Sequence, residues 1–186
     1  MSNRLTRIYT GKGDDGTTGL ANNTRVEKDS LRIAAIGEID ELNCLLGILN
    51  ASYVPDDIAG YVLNIQHRLF DIGGELAVPG DAVIEEEHIK RLEDLIENYN
   101  EDLKPLREFI LPGGNMAASL CHLARSVCRR AERSIVRLGH AEALNPNTLA
   151  YINRLSDLLF VFSRVLNQGK GGKEIYWDKN RLKNSV

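Results

Sequence analysis

The sequence predicts an all-α fold, an antiparallel five-helix bundle that carries an irregular glycine-rich segment at its N-terminus. Five stretches show apolar residues at helical spacing, most of them opened by a capping residue or a proline and closed by glycine or proline. No stretch alternates convincingly as a strand does, and no internal repeat or low-complexity block interrupts the series. With 186 residues, 43% of them hydrophobic, the chain is long enough for one full core and short for two. The expected organisation is a single domain over 1–186: an N-terminal loop at 1–29, the bundle at 30–168 and a tail at 169–186.

A net charge of −3 argues against a general nucleic-acid binder, so basic residues matter only where they cluster. There is no apolar run of roughly 18 residues and no apolar signal core in Met1 to Tyr9, which leads us to expect a cytoplasmic protein without membrane contact. Cys44, Cys121 and Cys128 form no CxxC pair with a histidine at metal spacing. Buried thiols in a reducing compartment are the expectation.

In order along the chain, residues 6–30 (TRIYTGKGDDGTTGLANNTRVEKDS) come first. Gly11, Gly13, Gly16 and Gly19 alternate with Lys12, Asp14, Asp15, Thr17 and Thr18, a pattern that precludes a regular element and turns backbone amides outward. Such a segment suits an anion, with hydroxyls, Lys12 and Lys28 as further donors. The GxxxxGK[ST] phosphate loop is absent. The competing reading is a flexible glycine-rich terminus.

Ser30 to about Ser52 reads as a helix capped by Asp29 or Ser30. Ile33, Gly37, Asp40, Cys44, Gly47 and Ala51 line one seam, mostly small, which should lie against a neighbouring helix or subunit. Asp40 in that seam needs a cation, and an arginine of the fourth helix is the candidate. Pro55-Asp56-Asp57 opens the second helix, carried by Val62, Leu63, Ile65, Leu69, Phe70 and Ile72. The third runs from Glu85 to about Leu103, with Ile89, Leu92, Leu95 and Ile96 inward. His67 has no companion at metal spacing.

The fourth helix, Asn115 to His140, runs without Gly or Pro until Gly139, with Asn115 as its N-cap. At 100° per residue, Leu120, Leu123, Val127, Ala131 and Leu138 share one stripe, and His122, Arg125, Arg129, Glu132 and Arg133 share the opposite one. Arg130 and Arg137 fall on a flank, so Arg129 and Arg130 should do different jobs. A preference for arginine over lysine points to carboxylate or phosphate recognition rather than to a merely solvated face. Asn145 and Pro146 open the last helix, to Gln168, apolar nearly all round from Leu155 to Leu166 and therefore expected to be central.

The strings IYTGKGDDGTTGL, AIGEIDELN, FILPGG, ARSVCRRAER and YINRLSD, in this order and spacing, resemble the PduO-type ATP:cob(I)alamin adenosyltransferases over roughly Arg7 to Gln168. The resemblance implies a homotrimer with active sites at subunit interfaces, and transfer of the 5′-deoxyadenosyl group of ATP to reduced cobalamin with release of triphosphate. By motif position it implies ATP binding by Thr10, Gly11, Lys12, Gly13, Thr18, Gly19 and Lys28, joined by Arg129, Arg130, Glu132, Arg133 and Asn153. It also implies that Asp40 pairs across subunits with Arg125. Phe109 would face the lower side of the corrin, excluding water and the nucleotide-loop base so that four-coordinate cobalt accepts an electron more readily. The loop between Gly19 and Lys28 varies in length in that family. The C-terminal segment matches poorly, which leaves the roles of Tyr176 and Trp177 open.

In the reaction that the resemblance implies the cobalt itself is the nucleophile, so the chain would need no catalytic Ser, Cys or general base, only positioning and donors for the leaving triphosphate. Mg²⁺ is expected to accompany ATP on phosphates and water, with no ligand from the protein. An electron-donating reductase and a B12-dependent enzyme are the implied partners. A second class of function, an ATP- and cobalamin-binding escort or sensor without turnover, would keep the same loop and arginine stripe.

Overall fold

The structure, a computed structural model, describes residues 9, 11–169 and 171–183, the Leu182 side chain excepted. Five helices dominate it: α1 (Leu31–Ala51), α2 (Asp56–Ala77), α3 (Glu86–Glu101), α4 (Met116–Gly139) and α5 (Pro146–Gln168). The expected caps hold: Ser30, Asn115 and Asn145 each accept a backbone N–H of their helix's first turn. Asp56 and Asp57 stand in the first turn of α2, where the helix dipole favours them. That helix continues through Gly73 and Gly74 to Ala77.

Successive helices run antiparallel. Arg32 at the start of α1 reaches Glu142 just past α4 and the Leu76 carbonyl at the end of α2, while Tyr99 near the end of α3 donates to Asp57 at the start of α2 (2.5 Å). Of the five helices, α5 holds the most buried side chains, among them Ile152, Leu155, Leu158, Leu159 and Phe162, as its all-round apolarity predicts. Three expected core residues are instead exposed: Leu63, Phe70 and Leu123. The α1 seam also faces away from the rest of the chain, with Gly37, Asp40, Cys44 and Ala51 exposed. Burial in α1 falls to Ala35, Ile39, Leu42, Leu46 and Leu49, whose heptad spacing gives the bundle larger apolar side chains. Cys121 and Cys128 are buried; Cys44, in the outward seam, is not.

The glycine-rich segment is more regular than its composition implies. Thr17–Gly19 (β1) pairs antiparallel with Arg25–Glu27 (β2), with Thr18 opposite Val26. Local side-chain bonds make the turns: Asp15 accepts from the Thr17 N–H (3.0 Å), Asn22 accepts from the Thr24 N–H (3.0 Å), and Asn23 adopts a positive φ of 66°. The hairpin docks through the Ala21 N–H on the Ala77 carbonyl, so it sits at the end of the bundle where α1 begins and α2 finishes. At the other end the 102–115 connection meets the tail, Ile110 forming an isolated bridge with Tyr176. Among the described residues no helix is long and apolar enough to cross a membrane.

Candidate functional site

The rotation of α4 sets the site. Its buried side is made of small residues, Ala117, Cys121, Ala124, Cys128 and Ala131 with Ile135, which lets α4 lie close against α1 and α5. The leucines therefore mark the core less well than the alanines do. Leu123, expected on the core stripe, is 48% exposed, and His122, expected on the cationic stripe, is only 6% exposed. The arginine stripe consequently borders the core instead of opposing it. Arg125 and Glu132 are half-buried, Arg129 and Arg133 exposed.

Three contacts order that flank. Asn153 Nδ2 of α5 donates to Glu132 Oε1 at 2.9 Å, and Arg133 Nη1 donates to the Arg129 carbonyl at 2.9 Å. Arg130 turns the other way and pairs with Glu41 of α1. Adjacent arginines thus diverge, as their angular positions predict. Burial, with the neighbouring Arg129 charge behind it, holds Arg125 below the usual arginine value, and its Nε is buried without a partner among the described residues. A half-buried guanidinium facing low-dielectric surroundings attracts an anion more strongly than one in water.

In the N-terminal segment Lys28 Nζ donates to the Gly13 carbonyl at 2.7 Å. A Cβ on Gly13 would come within 3.1 Å of that ammonium, so a glycine there lets the lysine fold over the loop. Gly11 has a positive φ of 70°. Thr18 and Gly19 lie in β1; Lys12 lies in the turn before it, and Thr10 lies outside the described residues. Arg25, unremarked in the sequence, closes the segment: it donates to the Lys12 carbonyl at 2.5 Å and to the Thr17 hydroxyl. Asp15 is held below the usual carboxylate value chiefly by the Thr17 N–H, then by the Thr17 hydroxyl. A basic residue facing a strand of threonines eight positions away is the signal that would have revealed Arg25, once the hairpin was foreseen.

Asp40 is exposed on α1, its carboxylate without a hydrogen bond or ion pair among the described residues; the carboxylate that meets an α4 arginine there is its neighbour Glu41. Phe109 stands 77% exposed on the loop leading to α4. Trp177 donates its N–H to the Phe109 carbonyl at 2.7 Å, placing the tail beside that loop. Between them, a cavity of about 180 Å³ is lined by Ile110, Pro112, His122, Arg164, Asn167 and Glu174, among others. Burial chiefly, and then the Arg125 charge, lowers the pKa of His122 there.

A model of the family described as cobalamin adenosyltransferase matches residues 8–166. A cobalamin adenosyltransferase of Cupriavidus metallidurans is 51% identical over 182 residues, 97% of this chain and 99% of its own length. A corrinoid adenosyltransferase of Bacillus subtilis is 42% identical, with 95% and 94% covered. Among solved structures, a phenylalanine-to-histidine variant of a PduO-type ATP:corrinoid adenosyltransferase from Lactobacillus reuteri, complexed with cobalamin and ATP, superposes with a TM-score of 0.90 at 35% identity. That match covers 93% of this chain and 97% of the other. An arginine-to-lysine variant complexed with ATP gives a TM-score of 0.88 at 36% identity, covering 92% of this chain and all of the other.

Proposed function

The chain belongs to the cobalamin adenosyltransferase family, and on that premise we propose that it transfers the 5′-deoxyadenosyl group of ATP to the cobalt of cob(I)alamin. The Co–C5′ bond forms as the C5′–O bond breaks, and triphosphate departs with the electron pair. Since the substrate supplies its own nucleophile, the protein contributes alignment and charge. The observation that carries this assignment to particular residues is the ordered arginine flank of α4, with Glu132 locked to Asn153 beside it.

Arg129 and Arg133 receive the polyphosphate, together with Thr10, Gly11, Lys12, Gly13, Thr18, Gly19 and Lys28 of the N-terminal segment. Arg130 keeps a place in this set with part of its guanidinium engaged by Glu41. Glu132 and Asn153 orient the cationic flank and the ribose. Donors arranged before the reaction stabilise the leaving charge by about 3 kcal/mol each in a site shielded from water. Mg²⁺ would accompany ATP without a ligand from the protein and would supply further charge neutralisation. The side chains gathered here are mostly cations, and Glu132, the carboxylate among them, is already bonded by the Asn153 amide, so the set suits phosphate better than a metal ion.

The site forms where chains of a homotrimer meet. Asp40 of one chain pairs with Arg125 of the next, whose guanidinium is half-buried on the α4 flank. The outward seam of α1 and the groove it shares with α2, lined by Ile33, Ile36, Gly37 and Phe70, offer an apolar face for that contact. Phe109 faces the lower side of the corrin. Buried, unpaired Cys121 and Cys128 suit a reducing cytoplasm, where a reductase supplies Co(I) and a B12-dependent enzyme takes the product.

The test is spectroscopic. With ATP and chemically reduced cobalamin, the visible spectrum is expected to convert to that of an alkyl-cobalt corrinoid. Cobalamin that binds and stays unreacted would overturn the assignment.

A further inference from the structure

We infer that Arg164 and Glu174 are positioning residues for Phe109: their buried ion pair clasps the C-terminal tail as a strand against the loop that carries that ring. The inference rests on the reading of Phe109 as the residue beneath the corrin.

Arg164 interrupts the most apolar stretch of α5 and is 4% exposed; Glu174, ten residues on, is 10% exposed. Arg164 Nε donates to Glu174 Oε1 at 2.6 Å, and its Nη2 donates both to Glu174 Oε2 (3.3 Å) and to the Lys104 carbonyl (2.7 Å). A single guanidinium therefore joins α5, the tail and the connection after α3. Buried pairs of this kind add little net stability over apolar residues of the same volume, and their best-attested use is to fix register.

Register is what the loop needs. With its ring 77% exposed, Phe109 cannot be aimed by packing, so its direction depends on the backbone. That backbone is tied to the tail twice, Leu111 N–H to the Ile175 carbonyl (2.8 Å) and Trp177 N–H to the Phe109 carbonyl (2.7 Å), on either side of the Ile110–Tyr176 bridge. The tail's start is fixed as well, since the Gly172 N–H bonds the Asn167 carbonyl at 3.0 Å. Beyond Phe109, Gly114 sits at φ 111° over the Asn167 amide, where a Cβ would collide with that side chain. Glu174 immediately precedes the paired segment, so freeing its carboxylate releases both tail bonds and lets Phe109 wander. Misplacement by about 1 Å costs on the order of 100-fold in a reaction that depends on alignment.

Trp177 is the one tryptophan in the chain, so its fluorescence reports the seating of the tail. In full-length Glu174→Gln the Trp177 anisotropy is expected to fall and the kcat/KM for cobalamin to drop on the order of 100-fold, with the KM for ATP within about twofold of wild type. Wild-type anisotropy together with wild-type cobalamin kinetics overturns the clasp. Should Glu174→Gln not fold, Trp177→Pro deletes one tail bond at the surface. A cobalamin kcat/KM below that of Trp177→Phe supports the clasp, and equal values overturn it. Phe109→Ala tests the reading underneath. Unaltered cobalamin kinetics there remove the corrin-side assignment, whereas an impaired Phe109→Ala beside an unaffected Glu174→Gln defeats the clasp alone.

Discussion

Arg129 and Arg130 differ by 100° around one helix, and that angle decides their partners: Arg130 meets Glu41 of α1, while the exposed Arg129 lends its carbonyl to Arg133. In the proposed function the Arg129 guanidinium goes to the polyphosphate. Arg129→Ala is therefore expected to lower kcat/KM for ATP on the order of 100-fold. Its melting temperature should stay within about 2 °C of wild type, because the side chain lies outside the core. A large drop in melting temperature with unchanged ATP kinetics would show the residue to be structural. His122 obeys a different constraint. Burial first, and Arg125 second, keep its pKa below the ordinary 6.5, against a smaller opposing pull from Glu174. The unfolded chain then takes up the proton first. Stability owed to the neutral imidazole is complete above about pH 6.5 and is lost as pH falls from there through the folded-state value. The urea midpoint of wild type should fall more steeply between about pH 7.5 and about pH 5 than that of His122→Gln. Parallel curves would count against this. The angular reading placed Arg129 and Arg133 together on an exposed flank because arginine spacing is local. It misplaced His122 and Leu123 because it let large side chains define the core of a helix that packs on its small ones.

Helices announce themselves through caps, and Asn115 and Asn145 were legible for that reason. The ties between elements were not, since they join residues far apart in the chain. Glu75 is the clearest case. Buried at the end of α2, it accepts from the N–H groups of Val83 (2.6 Å) and Ile84 (3.1 Å), from the Asn145 amide (3.1 Å) and from the Thr148 hydroxyl. One carboxylate thus holds the end of α2, the approach to α3 and the cap of α5. In the sequence it is an ordinary glutamate after Gly73-Gly74. Glu75→Leu leaves those donors buried and unsatisfied, and is expected to cost about 3 kcal/mol or more in urea unfolding with an unchanged m-value. A change below about 0.5 kcal/mol would remove the node from the account. The hairpin was missed for a related reason: its glycines signalled bends, while the pairing of Thr18 with Val26 depends on the Asp15 and Asn22 turns. Arg25, which closes the segment over Lys12, became visible only once the strands were paired.

At the scale of the molecule, α1 presents small residues and Asp40 outward while α4 carries the half-buried Arg125. The exposed carboxylate and the half-buried guanidinium are complementary in charge, which is the basis for proposing that they meet in the contact between chains. Asp40→Asn is expected to weaken the oligomer in light scattering and to reduce turnover together with it; wild-type assembly and kinetics would refute the pair. The polyphosphate grip, built from a glycine-rich hairpin of one chain and the arginine flank of another, is the claim on which the rest depends. Subunit mixing tests it most directly. Lys12→Ala removes the hairpin's part and Arg129→Ala the flank's, so each parent alone is expected to be nearly inactive. Refolded together in equal amounts, they should assemble about a quarter of their interfaces from an intact hairpin and an intact flank, and recover activity in that proportion. A mixture no more active than its parents would place both halves of the grip in one chain and contradict the account.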